Sequence, residues 1–427
     1  MSGYRFYNAR LLTMEGKPEV IWGELWTEND RITYVGPAEN APDKTEHDFT
    51  EEIDAKGFLI MPGFKDAHTH SAMVFLRSLA DDLPLHEWLN NRVFPCEAKL
   101  DPDMIYHLTK LAVLEYLTSG ITSVFEMYLT PMSIADAFEE TGMRCVQTGS
   151  LNNFSQSVEL LEEWYQKLNS RSSLMSFVPG FHAEYTCSRE LLEGVAALAK
   201  KYRTPVWCHN SETESEVEQC RERYGMTPTR LFDELGIYDF GGGGYHCVYF
   251  DDEDVEIFAK KGLSIVTNPA SNAKLASGIA PLSRYLKAGI NIAIGTDGPA
   301  SNNCLDMFRE MFLVAGLAKL TEKDAAAMDA AEVLKMATVG GARAMGLKDC
   351  DCLSPGKKAD LIMLDMDQPN MRPINNIVKN IVYSGSKQNV SLTMIDGVIR
   401  YRKGEFFVGE DAEKIIAKAE EITGSLV

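Results

Sequence analysis

The chain has 427 residues, 45% of them hydrophobic and 24% charged; that excludes disorder and low complexity for most of it and suits one large domain with an appendage, or two to three small ones. Lys and Arg number 42 against 62 Asp and Glu, a net charge of −20. A field of that sign repels phosphate backbones and anionic lipid, so nucleic acid and membrane are not expected as partners, and a small-molecule substrate is.

In chain order, residues 4–60 read as β. Tyr4–Leu12, Ile21–Thr27 and Arg31–Val35 are short strand-like runs separated by turn chemistry such as Glu28-Asn29-Asp30. From about residue 61 the rhythm changes. Short apolar runs at Phe58–Met61, Ile121–Phe125, Cys145–Thr148, Met175–Phe181, Pro205–Cys208, Gly244–Cys247, Leu263–Thr267 and Ile290–Ile294 alternate with helical patterns. Those patterns include Met104–Leu117, Ile134–Glu140, Leu191–Lys200, Glu214–Tyr224, Asp252–Lys260 and Pro281–Lys287. Eight strands joined by crossover helices predict an α/β fold, a (β/α)8 TIM-type barrel over 61–352. The glycines Gly241–Gly244 form a loop rather than a phosphate cradle, because no Gly-Lys-Ser/Thr follows them. Beyond the barrel, Asp360–Leu364, Ile377–Tyr383 and Ser391–Ile395 read as strands again, and Asp396-Gly397 signals a hairpin into Val398–Tyr401. A helix over about Asp411–Thr423 closes the chain. The two β-rich ends, 1–60 and 353–427, are expected to form one small β-sandwich module.

Nine cysteines occur without a Cys-x-x-Cys pair, and the amino terminus has no apolar signal region. They are read as reduced thiols in a cytoplasmic protein.

The chemistry lies at strand ends. Five of the eight histidines, 68, 70, 182, 209 and 246, fall at or just past the carboxyl ends of expected barrel strands, the face on which barrel active sites are built. In Asp66-Ala-His68-Thr-His70 the two imidazoles point the same way along an extended segment. His209 ends the run Thr204–His209, and Asp297 ends Ile292–Asp297. Three imidazoles and a carboxylate suit one divalent metal, Zn2+ first and Fe2+ as the alternative, with a position left for water. His246, at the end of the sixth strand, is either a hydrogen-bond partner of that water or a buried histidine satisfied elsewhere. Glu212 is ambiguous: it is either a proton carrier or simply the first of an acidic run continuing through Glu214, Glu216 and Glu218, where carboxylates favour a helix start. His182-Ala-Glu184 matches the His-x-Glu of cytidine-deaminase-type zinc sites, but Pro95-Cys96 has no second Cys three residues on, so that fold is excluded.

Met61-Pro-Gly-Phe-Lys-Asp-Ala-His68-Thr-His70 resembles the opening barrel motif of the amidohydrolase superfamily. The resemblance runs on through Asp82–Trp88, Val93–Glu97, His182–Ser188, His209–Thr213, His246-Cys247, Asn268–Gly278, Gly295–Asn303 and Gly356–Leu361, nearly the whole chain. It is similar above all to the aminohydrolase branch that includes 5′-methylthioadenosine/S-adenosylhomocysteine deaminases, beside guanine, pterin and triazine hydrolases.

The resemblance implies a mononuclear metal on His68, His70, His209 and Asp297, with Glu212 as proton shuttle. His246 and Asp297 would orient water, and His182, Trp88 and Glu97 would contact substrate. The fourth strand ends Pro179-Gly-Phe-His182 without the Lys that binuclear relatives carboxylate, which favours one metal. Asn153 and Ser301 complete the expected substrate-binding set. Glu184 stands where relatives more often carry Pro, beside the expected pocket.

The implied reaction is hydrolytic deamination of an amino-substituted nitrogen heterocycle. No Lys or Arg occurs between Arg144 and Lys167. A neutral 5′-modified adenosine is therefore expected ahead of S-adenosylhomocysteine, with a free ring such as a pterin, guanine or triazine as the alternative. Arg77, Arg92 and Arg284 are the candidates for a cation from another loop. A metal-free sugar-processing barrel and a non-catalytic barrel used as an assembly module are the rival readings. A homo-oligomer is expected.

Overall fold

The computed structural model describes residues 3–79, 81–83 and 85–426, without the side chains of Leu85 and His86. Pro84 of the Asp82–Trp88 motif and the first two residues of the chain lie outside it.

Both chain ends build one hydrogen-bonded sheet of nine strands. The front contributes Gly3–Leu12, Val20–Glu28, Arg31–Gly36, Glu51–Asp54 and Phe58–Pro62, and the back contributes Leu361–Asp365, Val390–Ile395, Val398–Arg402 and Glu405–Phe406. Phe58–Pro62 pairs antiparallel with Leu361–Asp365, stitching the two ends together. The expected hairpin is present: Asp396 and Gly397 both have positive φ (53° and 74°) between paired strands, the geometry that matches strand twist.

Two elements differ from the sequence reading. Phe58–Met61, expected as the first barrel strand, belongs to the terminal sheet. The first strand of the central set is instead Phe64–Thr69, all of it buried. Lys65 and Asp66 disguise it, because two charged residues in a row do not read as a buried strand. Their partners make the burial tolerable. Lys65 Nζ donates to the Gly63 carbonyl and to Thr122 Oγ1, each at 2.9 Å. Asp66 accepts from the Thr296 amide (2.8 Å) and hydroxyl (2.6 Å). Ile377–Tyr383, expected as a strand, is helical: Asn376 Oδ1 caps Lys379 N at 2.9 Å and helical turns continue to Ser384. A local cap outweighs the strand preference of its branched residues.

Eight parallel strands fill the middle of the chain. Phe64–Thr69, Ile121–Met127, Arg144–Thr148 and Met175–Val178 form one four-stranded sheet; Val206–Asn210, Gly242–His246, Ser264–Thr267 and Asn291–Ile294 form another. Isolated parallel bridges, Gly180↔Trp207 and Thr69↔Asp297, link the two sheets at both edges. The crossover helices carry their own start and stop signals. Thr213 caps Glu214–Tyr224, which ends at Gly225 with φ 74°, and Asp251 caps Asp252–Lys261 before Gly262 at φ 66°. Inside, Ala67, Phe125, Val146, Trp207, Tyr245, Val266 and Ala293 pack as one apolar cluster. It forms an apolar floor beneath the strand ends. Among the described residues, no helix is long and apolar enough to cross a membrane.

A buried ion pair joins the two parts. Arg144, at the start of its strand, donates to Asp360 through Nε (2.6 Å) and Nη2 (3.0 Å), and Nη2 also reaches Asp396 at 2.8 Å. Asp360 is 0% and Arg144 4% exposed at the side chain. Removing one partner leaves an uncompensated buried charge, so Arg144→Ala should lose about 3–5 kcal/mol of stability. A denaturant midpoint within error of the unsubstituted protein would show that the pair stabilises nothing.

Candidate metal centre and active site

The ends of the first, fifth, sixth and eighth parallel strands meet at one point. Asp297 N donates to the His68 carbonyl at 2.9 Å, which seats the eighth strand's end against the first. Gly295 allows this approach, since a Cβ there would lie 2.7 Å from His68 Cβ. His70 Nε2 and His68 Nε2 lie 3.2 and 3.7 Å from Asp297 Oδ1. The ring centroids of His68 and His209 are 4.9 Å apart, and those of His209 and His246 5.4 Å. Two sets of potential ligand atoms, His68/His70/Asp297 and His68/His209/His246, each fall within 4.8 Å. Several residues here hold left-handed backbone without being glycine: Ser211, His246, Cys247 and Asp297 have φ of 53°, 67°, 48° and 60°. Such conformations persist only where the surroundings impose them.

Hydrogen bonding leaves one face of each imidazole free. His209 Nδ1 donates to the His182 carbonyl at 2.8 Å. His70 Nδ1 is bonded to the Met127 carbonyl. This turns His209 Nε2 inward and aims His70 Nε2 at Asp297 Oδ1, 3.2 Å away, the arrangement that orients a metal-ligating histidine. His68 is fully buried, stacks on Tyr245 at 3.8 Å between centroids, and has no hydrogen-bond partner at either ring nitrogen. Orphaned buried nitrogens are rare and call for a partner. A divalent cation beside the Asp297 carboxylate supplies one, so the donor set fits a metal. Burial and the neighbouring imidazoles hold His68 and His209 well below the usual histidine range, in the neutral form a ligand needs. Burial opposes the charge of Asp297 too, but its hydrogen bond with His70 and the surrounding imidazoles outweigh that and hold its carboxyl well below the usual range.

Glu212 follows the fifth strand. Its Oε1 accepts from Ser277 Oγ at 3.0 Å, and its Oε2 lies 3.8 Å from His246 Nε2. His246 Nδ1 donates to Asn272 Oδ1 at 2.7 Å, which turns Nε2 toward Glu212 and the histidine cluster. Behind Glu212, buried Glu216 accepts from the Ser211 amide (3.0 Å) and the Glu212 amide (2.7 Å). Burial, with Glu212 nearby, pushes the Glu216 carboxyl up to about 7. The acidic run is therefore not uniform. Glu212 and Glu216 point into the protein and are 7% and 4% exposed, while Glu214 and Glu218 are exposed.

A cavity of about 370 Å³ opens over this point, and His70, His209, Glu212, His246 and Asp297 line it. Trp88, Glu97 and His182, expected to touch substrate, line it too. Trp88 Nε1 is buried without a hydrogen-bond partner. Removal from water pushes Glu97 up to about 7, and burial with the His70 charge pulls His182 down to about 4. Asn153 and Ser301 are not among the lining residues. Asn153 Oδ1 accepts from the Ser188 amide at 2.8 Å, holding the loop rather than facing the cavity; its neighbours Asn152, Phe154 and Ser155 line the cavity instead. Ser301 Oγ donates to Asp297 Oδ2 at 3.0 Å and stands behind the carboxylate. Glu184 is turned away and paired with Arg223. The sequence assigns no role to Ser271, Asn272 or Ser277, and reads Glu216 only as one of an acidic run. The first three lie in the matched Asn268–Gly278 motif, but nothing local shows which side chain each would meet.

The described lining residues include no Lys or Arg. Arg77 is bonded to Glu115, Arg284 to the Phe250 carbonyl and Asp252, and Arg92 is exposed.

A model of the amidohydrolase family matches residues 59–400. A 5-methylthioadenosine/S-adenosylhomocysteine deaminase of Pelotomaculum thermopropionicum is 39% identical over 98% of this chain and 98% of its own length. A 5′-deoxyadenosine deaminase of Methanothermobacter thermautotrophicus is 39% identical over 87% of this chain and 89% of its own. Among solved structures, an adenosine deaminase from Xanthomonas campestris with bound zinc superposes with a TM-score of 0.94 at 30% identity, covering 100% of this chain and 98% of that one.

Proposed function

The chain belongs to the amidohydrolase family, and from that premise we propose that it is a metal-dependent aminohydrolase that deaminates a 5′-modified adenosine and releases ammonia. The observation that carries this is the meeting of His68, His70, His209 and Asp297 at one end of the parallel strands, with Glu212 and His246 on the same cavity wall. The names and bound zinc of the similar proteins support the same reaction and Zn2+ as the ion.

In this reading 61–352 is a catalytic (β/α)8 barrel, and 1–60 with 353–427 form a β-sandwich module. Gly3–Leu12 supports the sandwich: its first half pairs with Glu51–Asp54 and its second with Phe58–Pro62. A core of Phe6, Leu25, Ile53, Leu361, Leu392 and their neighbours packs within the sheet.

His68, His70, His209 and Asp297 would hold the metal. When bound, the ion supplies Lewis acidity that lowers the pKa of water toward about 7. The chain's own groups do the rest. Asp297 and His246 orient the attacking water and accept its proton. Glu212, held at Oε1 by Ser277, delivers a proton to a ring nitrogen, which makes the adjacent carbon electrophilic. Water adds to that carbon, a second proton transfer reaches the amino group, the C–N bond breaks and ammonia leaves. Trp88 and His182 face the ring, and Glu97 is placed to accept from ribose hydroxyls.

The absence of Lys and Arg from the described lining sets the substrate order. An amino-acid carboxylate would lack the bidentate grip that Arg gives, and a charged hydrogen-bond partner left unmade costs about tenfold or more in binding. Ammonia release should therefore show kcat/KM for 5′-deoxyadenosine or 5′-methylthioadenosine at least about tenfold above that for S-adenosylhomocysteine. The reverse order refutes the neutral-substrate reading; activity on free bases alone also removes the role of Glu97.

A further inference from the structure

Glu310 lies on the helix Met307–Glu322, fully buried and outside the cavity lining. Its Oε2 accepts from the Ala270 amide at 3.0 Å and its Oε1 from Asn302 Nδ2 at 2.8 Å. Each donor sits on a short helix that supplies the active site. Ala270 belongs to Pro269–Lys274, which carries Ser271 and Asn272, and Asn302 ends Pro299–Asn302, which carries Ser301. Ser271 Oγ and Ser301 Oγ donate to Asp297 Oδ2 at 2.6 and 3.0 Å. Asn272 takes the Nδ1–H of His246. Asn302 Nδ2 also donates to the carbonyl of Thr296, the residue before Asp297, at 2.6 Å. One carboxylate thus ties together the supports of both groups that orient water.

Among the described residues no salt bridge reaches Glu310, and burial pushes its carboxyl up to about 8. A buried acid without a counter-ion costs stability, and what it gains here is its hold on two buried N–H donors beside the active site. Both of its oxygens are used as acceptors, which no neutral amide reproduces: Gln would face one of the two N–H donors with its own NH2.

We propose that Glu310 is a positioning residue, which sets the side chain of Asp297 and the ring orientation of His246 through Ala270 and Asn302. The inference rests on the deaminase reading above. The test uses Glu310→Gln and, from the other end of the same bond, Asn302→Ala, each saturated with metal. Both should keep KM within about twofold while kcat falls about 10–100-fold, the usual cost of losing an outer partner of a metal site. The cobalt(II)-loaded proteins should show a shifted visible absorption, because the Asp297 carboxylate moves. Asn302→Ala also removes the bond to the Thr296 carbonyl, so should Glu310→Gln fail to fold, Glu310→Asp, which keeps the carboxylate but is one methylene too short to hold both donors, decides the matter by the same two readouts. A kcat within twofold of the unsubstituted protein overturns the proposal. So does an unchanged cobalt spectrum per folded molecule. The cobalt measurement needs no substrate, so it judges Glu310 even if the substrate assignment is wrong; failure of the deaminase reading shows separately, as an unsubstituted protein that releases no ammonia.

Discussion

Glu212→Gln should leave the fold and the bound metal intact and lower kcat by about 10²–10⁴-fold, the usual worth of a general acid–base group. The substitution is nearly isosteric. A Gln oxygen can still accept from Ser277 Oγ, and the Glu212 amide still donates to Glu216, so the local backbone has no reason to move. What is lost is a group that can take up and release a proton beside His246. Steady-state kinetics with metal analysis on the same sample separates the two roles open to Glu212. If kcat changes by less than threefold, Glu212 is only an acid at the start of the helix Glu214–Tyr224, interacting with the helix dipole.

His209→Ala should cost more. His209 is 6% exposed, and its Nδ1–H is committed to the His182 carbonyl, so Nε2 is free for the ion. With one of four ligands removed, bound metal should fall from one per chain to a small fraction. Turnover should then drop below detection, since water without a metal is far harder to deprotonate at neutral pH. Elemental analysis and ammonia release measure both. A variant that holds a full equivalent of metal and stays active would remove His209 from the ligand set and favour a centre built on His68, His70 and Asp297 alone. Chelation of the unsubstituted protein should give the same loss, reversed by adding Zn2+. Activity unaffected by chelator depletion to zero metal would favour a metal-free reading of the site.

Much of this site was legible in the sequence because its signals are local. His68 and His70 share an extended segment, His209, His246 and Asp297 close apolar runs, and barrel chemistry gathers at strand ends. The helix Glu214–Tyr224 was legible down to its limits because Thr213 and Gly225 mark them, and Asp396-Gly397 specified a hairpin by itself. Tertiary structure decided whatever depended on a distant partner. Phe64–Thr69 is a buried strand only because Lys65 meets Thr122 and Asp66 meets Thr296, 57 and 230 positions away. Glu184 leaves the cavity because Arg223 is there to receive it. Ser271, Asn272, Ser277 and Glu310 are ordinary polar residues until the fold sets Asp297, His246, Glu212 and Asn302 beside them. Propensity and capping act over a few residues, and so leave a mark on the sequence. A buried polar group is satisfied by whichever chain segment the fold brings to it, and nothing in its own neighbourhood records which segment that is.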